Sequence, residues 1–170
     1  MFYQGTGFLI AKNVIATANH VAEDQTCIDK TTGEPLKTYK TDKRHDFALM
    51  TEAAESVGPY TRYSCQRPDP GQYYISYGWS SLGMPDFFTP ILRNNNLLST
   101  KRHSKTGDVS SFLDSSGMRI YNFPIAAGTS GGPVADIFGN VIAINNAGND
   151  EETLLFDLAD TALCTGKWDK

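Results

Sequence analysis

The sequence predicts an all-β fold, a barrel or a sandwich. Short runs rich in Ile, Val, Phe and Tyr recur along the chain, each bounded by turn residues. Hardly any stretch repeats its apolar residues at helical spacing. The 170 residues, 40% hydrophobic and 20% charged, suffice for one ordinary core or two small ones facing each other.

In chain order the strand-length runs are GFLIA (7–11), NVIATA (13–18), DFALM (46–50), QYYISYGW (72–79), FFTPIL (87–92), MRIYNF (118–123), NVIAIN (140–145) and TLLFD (153–157). Two short stretches suit a helical turn, HVAEDQ (20–25) and LADTAL (158–163). The stretch GPYTRYSCQRPDPG (58–71) holds three prolines and no apolar run. It reads as a linker dividing the chain into 1–66 and 67–170.

The formal charge is −4. That gives no reason to expect a nucleic-acid or membrane partner. The densest basic run, TKRHSK (100–105), reads as a solvated hairpin. No apolar run approaches the roughly 20 residues of a spanning helix. The start, MFYQGTGFLIAKN, lacks the basic and apolar regions of a signal peptide. A cytoplasmic setting is therefore expected, that of the host cell if the source is viral. A trimmed secreted chain would begin no differently. Cys27, Cys65 and Cys164 are odd in number and far apart. They are expected to be three reduced, structural thiols, with neither a disulfide framework nor a zinc site. Nothing calls for a metal or a cofactor.

The segment AAGTSGGPVAD (126–136) gathers three glycines around Ser130. Glycine is costly inside a strand. The cluster therefore marks either a tight turn or an exposed nucleophile with backbone N–H groups beside it. A serine hydroxyl needs a base to attack a carbonyl. The histidines are His20, His45 and His103, and all precede Ser130. An α/β-hydrolase needs its histidine after the serine, so that pattern fails. A subtilisin-type order needs an Asp before the histidine, and none precedes His20; His45 and His103 could formally serve, but neither sits in a suitable context. The order His, Asp, Ser remains. His20 closes the strand VIATA, and Asp46 opens the strand FALM. A carboxylate there would sit against the imidazole, fixing its tautomer. His45 is a rival base, but adjacent strand residues face opposite ways, so His45 and Asp46 would not meet.

GTGFLIAKNVIATANHV resembles the first catalytic segment of chymotrypsin-like serine proteases, with the base at His20. DFALM resembles the segment that carries the acid, here Asp46, and GTSGGP resembles the nucleophile segment, here Ser130. YISYGWSSLG resembles the strand opening the second barrel, and NVIAINNAG resembles one wall of the primary specificity pocket. The five segments run in family order over residues 5–148.

The resemblance implies two antiparallel, six-stranded-type β-barrels with the site between them. His20 and Asp46 would come from the first half and Ser130 from the second. The backbone N–H groups of Gly128 and Ser130 would form the oxyanion hole. Pro124, Ile125, Ala126 and Ala127 would line the specificity pocket on one side, and Asn145, Asn146, Ala147 and Gly148 on the other. These segments contain no acid, so Arg and Lys are not expected as P1, the residue whose carbonyl is attacked. An apolar or small P1 is expected first and Gln second.

Only MFYQ precedes the first segment. The first barrel is therefore expected to be short of its N-terminal strand, open, or closed by another segment. Val21 and Thr129 stand where digestive members carry a cysteine and an aspartate, so the chain resembles the disulfide-free bacterial and viral branches. The implied activity is a serine endopeptidase acting on polypeptides, of open oligomeric state. The alternatives are a catalytically silent binding or structural module on the same fold, or an esterase-like acyl transferase.

Overall fold

The computed structural model describes residues 5–23, 27–28, 33–52, 59–69, 74–76, 118–121, 130–148 and 153–170. They form two antiparallel sheets. The first has the order β1-β2-β4-β3, from β1 (Phe8–Ala11), β2 (Val14–Ala18), β3 (Leu36–Asp42) and β4 (Phe47–Glu52). The second has the order β5-β7-β8-β9-β6, from β5 (Ile75–Ser76), β6 (Arg119–Tyr121), β7 (Pro133–Ala135), β8 (Val141–Gly148) and β9 (Thr153–Asp157).

Seven of these strands lie in runs that the sequence marks. The eighth such run, FFTPIL, falls outside the described residues. Both helical turns are present, as a helix over Asn19–Glu23 and as a 3-10 turn (Leu158–Asp160) followed by a helix (Ala162–Thr165). The sequence pattern misses β3 and β7. Most of β3 is exposed, so it shows no apolar alternation. β7 has three residues and begins with a proline.

The broadest apolar cluster joins the two sheets. Phe8, Ala16, Ala18, Phe47 and Leu49 of the first meet Ala135, Val141, Ile144 and Phe156 of the second, with Leu158. Phe47 and Ile144 are fully buried, each worth roughly 1.5–3 kcal/mol of burial. This seam holds strand ends from both sheets in fixed relation, which a site built between them requires. Smaller clusters fill each sheet: Ile15, Ala22, Ala48 and Met50 in the first, and Tyr74, Val134, Ile142, Ala143 and Leu155 in the second.

The cysteines overturn one expectation. Cys65 and Cys164 form a disulfide, with Cα atoms 5.8 Å apart. Only Cys27 is a free thiol, half-buried. The chain is therefore not disulfide-free, and the premise of three reduced thiols in a reducing compartment falls. Spacing could not reveal the pair, because the fold brings together residues 99 positions apart. The bridge joins the proline-rich segment after β4 to the C-terminal helix. Beside it Arg67 reaches the buried Asp157 at 2.9 Å and Asp160 at 2.6 Å.

Candidate active site

His20 stands in the short helix that begins as β2 ends. The turn from β2 is tied to the next segment by Asn19 N–H, which donates to the Asp46 carbonyl at 3.0 Å. Asp46 closes a 3-10 turn over Lys43–His45, whose start is capped by the Asp42 side chain. Its backbone is left-handed, with φ 48°. Aspartate tolerates that region better than most residues. The kink aims the carboxylate back at the helix. Asp46 Oδ1 accepts the His20 backbone N–H at 2.8 Å, and Oδ2 meets His20 Nδ1 at 2.6 Å. With two contacts on one carboxylate, the ring is held with Nδ1 toward the acid and Nε2 away from it.

Neither partner is fully buried: Asp46 keeps 17% side-chain exposure and His20 48%. The hydrogen bond to Asp46 raises the His20 pKa above its ordinary value. Burial opposes that, and the charges of Asp46 and Glu23 add to it.

Ser130 lies at the mouth of the turn into β7. Its carbonyl accepts Thr6 N–H at 2.9 Å, which ties the turn to the segment entering β1. Gly131 has φ +86°, and a Cβ there would lie 2.5 Å from the Thr6 carbonyl oxygen, 2.7 Å from Ala18 N, and against Thr17 Oγ1. Only glycine lets the turn that carries Ser130 lie this close to the β2 backbone. This answers the glycine cluster at one position. The Ser130 hydroxyl donates to the Asn146 carbonyl at 2.9 Å.

Asn146 is the residue whose role the sequence does not reveal. Its side-chain amide donates to Asp46 Oδ2. One residue of β8 therefore touches both the carboxylate and the serine, whereas its expected place was the pocket wall. An amide's role depends on where it points, and its residue type carries no signal of that.

Its neighbour Asn145 is fully buried, and its amide N–H donates to Ser76 Oγ at 2.8 Å. Ala147 is exposed, and Gly148 ends β8. Gly128, Pro124, Ile125, Ala126, Ala127 and His103 lie outside the described residues.

The rival histidine is engaged elsewhere. His45 Nδ1 pairs with Asp42 Oδ2 at 2.9 Å, and the ring stands edge-on to Phe156. The reason differs from the one expected. His45 belongs to the 3-10 turn and not to the strand, and the turn directs it to Asp42. A cavity of about 420 Å³ opens between the start of β1, the segment 59–62 and the β7–β8 hairpin. None of His20, Asp46 and Ser130 lines it.

Solved structures with this fold include the Rv3671c protease of M. tuberculosis and a serine protease from a human pathogenic astrovirus. The inactive form of Rv3671c aligns with TM-score 0.62 and 16% identity, over 92% of this chain and 79% of that one. Its active form aligns with TM-score 0.63 and 15% identity, over 92% and 69%. The astrovirus enzyme aligns with TM-score 0.58 and 18% identity, over 91% and 82%. At such identities the likeness establishes the all-β, chymotrypsin-like double-barrel fold. No curated protein sequence matches significantly. The sequence model for the trypsin-like peptidase domain matches residues 5–144, a span that contains His20, Asp46, Ser130 and the glycine turn that holds the serine. The chain belongs to the trypsin-like peptidase domain family.

Proposed function

We propose that the protein is a serine endopeptidase with Ser130 as nucleophile, His20 as general base and acid, and Asp46 as the carboxylate that orients His20. The observation that carries the reading is the 2.6 Å pairing of His20 Nδ1 with Asp46. That pairing leaves Nε2 to take a proton, and Ser130 is the candidate donor. The hydroxyl turns from the Asn146 carbonyl toward Nε2 when substrate binds.

Ser130 Oγ then attacks the peptide carbonyl carbon while His20 takes its proton. The oxyanion accepts the backbone N–H groups of Gly128 and Ser130. His20 returns the proton to the leaving amine as the C–N bond breaks. Water hydrolyses the resulting acyl-enzyme by the same steps, with His20 again as base. In this reading residues 1–66 supply the base and the acid, and residues 67–170 supply the nucleophile.

The test pairs two assays on the full chain. Wild type should react with a fluorophosphonate and digest unfolded protein. Ser130→Ala should do neither while keeping its thermal midpoint, because one small hydroxyl is lost. Digestion by Ser130→Ala at the wild-type rate would end the reading. Labelling without digestion would point to an acyl transferase, and no labelling to a silent module.

A further inference from the structure

We propose that Asn145 and Ser76 together select substrates with a primary carboxamide at P1, glutamine before asparagine. The inference rests on the assignment of Ser130 as nucleophile and adds to it the class of side chain the site accepts.

Asn145 lies abreast of the nucleophile turn. Gly131 N–H donates to the Asn145 carbonyl at 2.8 Å, and Asn145 N–H donates to the Gly132 carbonyl at 2.9 Å. Asn145 is thus next in the chain to Asn146, whose carbonyl accepts the Ser130 hydroxyl. Asn146 sends its side chain to Asp46, and Asn145 sends its own to Ser76 on β5.

The pairing at Ser76 is incomplete. Asn145 is 0% exposed and Ser76 is 2% exposed. The Asn145 Nδ2 group donates to Ser76 Oγ, but the buried Oδ1 accepts from no donor among the described residues. Ser76 Oγ is used as an acceptor, and no bond among the described residues uses its hydroxyl proton. A buried carbonyl without a donor carries its desolvation cost unrelieved, and native proteins leave few such groups. Leucine or valine would remove that cost. An asparagine in that state makes sense if a ligand completes it.

What completes it must bring a donor for Oδ1 and an acceptor for the Ser76 hydroxyl. A primary carboxamide carries both on one planar group. Turning the Asn145 amide by half a turn exchanges the two roles and leaves the same complement. A Glu carboxylate has no proton to donate and brings a charge that no cation on Asn145–Gly148 neutralises. A Met side chain has the length of Gln but offers Oδ1 no donor. Lys brings a donor with a charge that no carboxylate on Asn145–Gly148 neutralises.

The experiment compares peptides that differ only at P1, with Gln, Glu, Met, Leu and Lys, on the intact wild-type chain. Its fluorophosphonate labelling is measured in the same preparation. Gln should exceed both Met and Glu in kcat/KM by about tenfold or more, the scale of one well-made buried hydrogen bond. Asn145→Leu should shrink the Gln-to-Met ratio toward one, and Ser76→Ala should shrink it less. A labelled wild type that prefers Met or Leu to Gln would overturn the proposal and leave the endopeptidase reading intact. So would a folded Asn145→Leu with an unchanged ratio. A wild type that neither labels nor cleaves would overturn both. The comparison of Gln with Met in wild type needs no variant, so misfolding of Asn145→Leu would not rescue the idea.

Discussion

Asp46 takes three donors: the His20 backbone, the His20 ring and the Asn146 amide. Their effect on His20 has opposite signs for activity and for stability. The raised pKa means that the folded state favours imidazolium. The pair therefore adds stability below the ordinary value of 6.5 and loses it as pH rises through the folded pKa. Base catalysis needs the neutral ring, so activity should rise with pH through a midpoint above 6.5. NMR titration of the imidazole checks this directly. In Asp46→Asn the His20 midpoint should fall, and turnover should drop on the order of 10⁴-fold if the triad operates as in other members of its class. A His20 midpoint that ignores the substitution would remove Asp46 from its proposed role. The pairing of His20 with Asp46 was legible as a candidate because histidines are few and the segments around His20, Asp46 and Ser130 follow one family order. The reach of Asn146 to Asp46 was not legible, because β8 shifts register between Asn145 and Ala147 and strand alternation does not say where Asn146 points.

Short turns, more than the strands themselves, aim these groups. Asp42 shows how much one of them depends on side chains that read as ordinary surface. It caps the Lys43–His45 turn, pairs with His45 and accepts the Ala162 N–H at 2.8 Å. Nothing in YKTDKRHD distinguishes that aspartate from a solvated one. β3 was invisible for a related reason: an exposed strand has no alternating pattern to read. The turn at Gly131 was half legible. The glycines announced a constraint, and the structure supplies its cause in the backbone of β2. Gly131→Ala should therefore cost about 2–5 kcal/mol, combining a strained φ with an overpacked contact. Urea denaturation would measure it. Adding Thr17→Ala should recover only part, because Thr6 O and Ala18 N are backbone atoms that the second substitution leaves in place. Full recovery would mean that the side-chain clash, and not the backbone approach, requires glycine.

At the scale of the whole molecule, the C-terminal segment runs back over the first sheet. Asp169 N–H donates to the Thr41 carbonyl, and its carboxylate accepts Thr41 Oγ1 and Lys43 N–H at 2.8 and 2.9 Å. Trp168 packs against Phe47. These contacts hold the turn that ends at Asp46. The Cys65–Cys164 bridge ties the helix at the head of this segment to the connection after β4. A crosslink acts mainly by limiting the unfolded chain, and more so when it closes a long loop. Here the loop spans 99 positions, so reduction should cost about 2–4 kcal/mol of stability. Thermal unfolding with and without dithiothreitol measures this, with Cys65→Ser as the reagent-free control. The loss should appear in wild type and be absent from Cys65→Ser, which starts from the lower midpoint. If the reductant lowers both midpoints equally, the effect does not come from this bridge. If it lowers neither, Cys65 and Cys164 are thiols in solution. The segment would then be held by the bonds of Asp169, by Leu163 and Trp168 packed against the core, and by Ala162 N–H on Asp42, which caps the turn ending at Asp46.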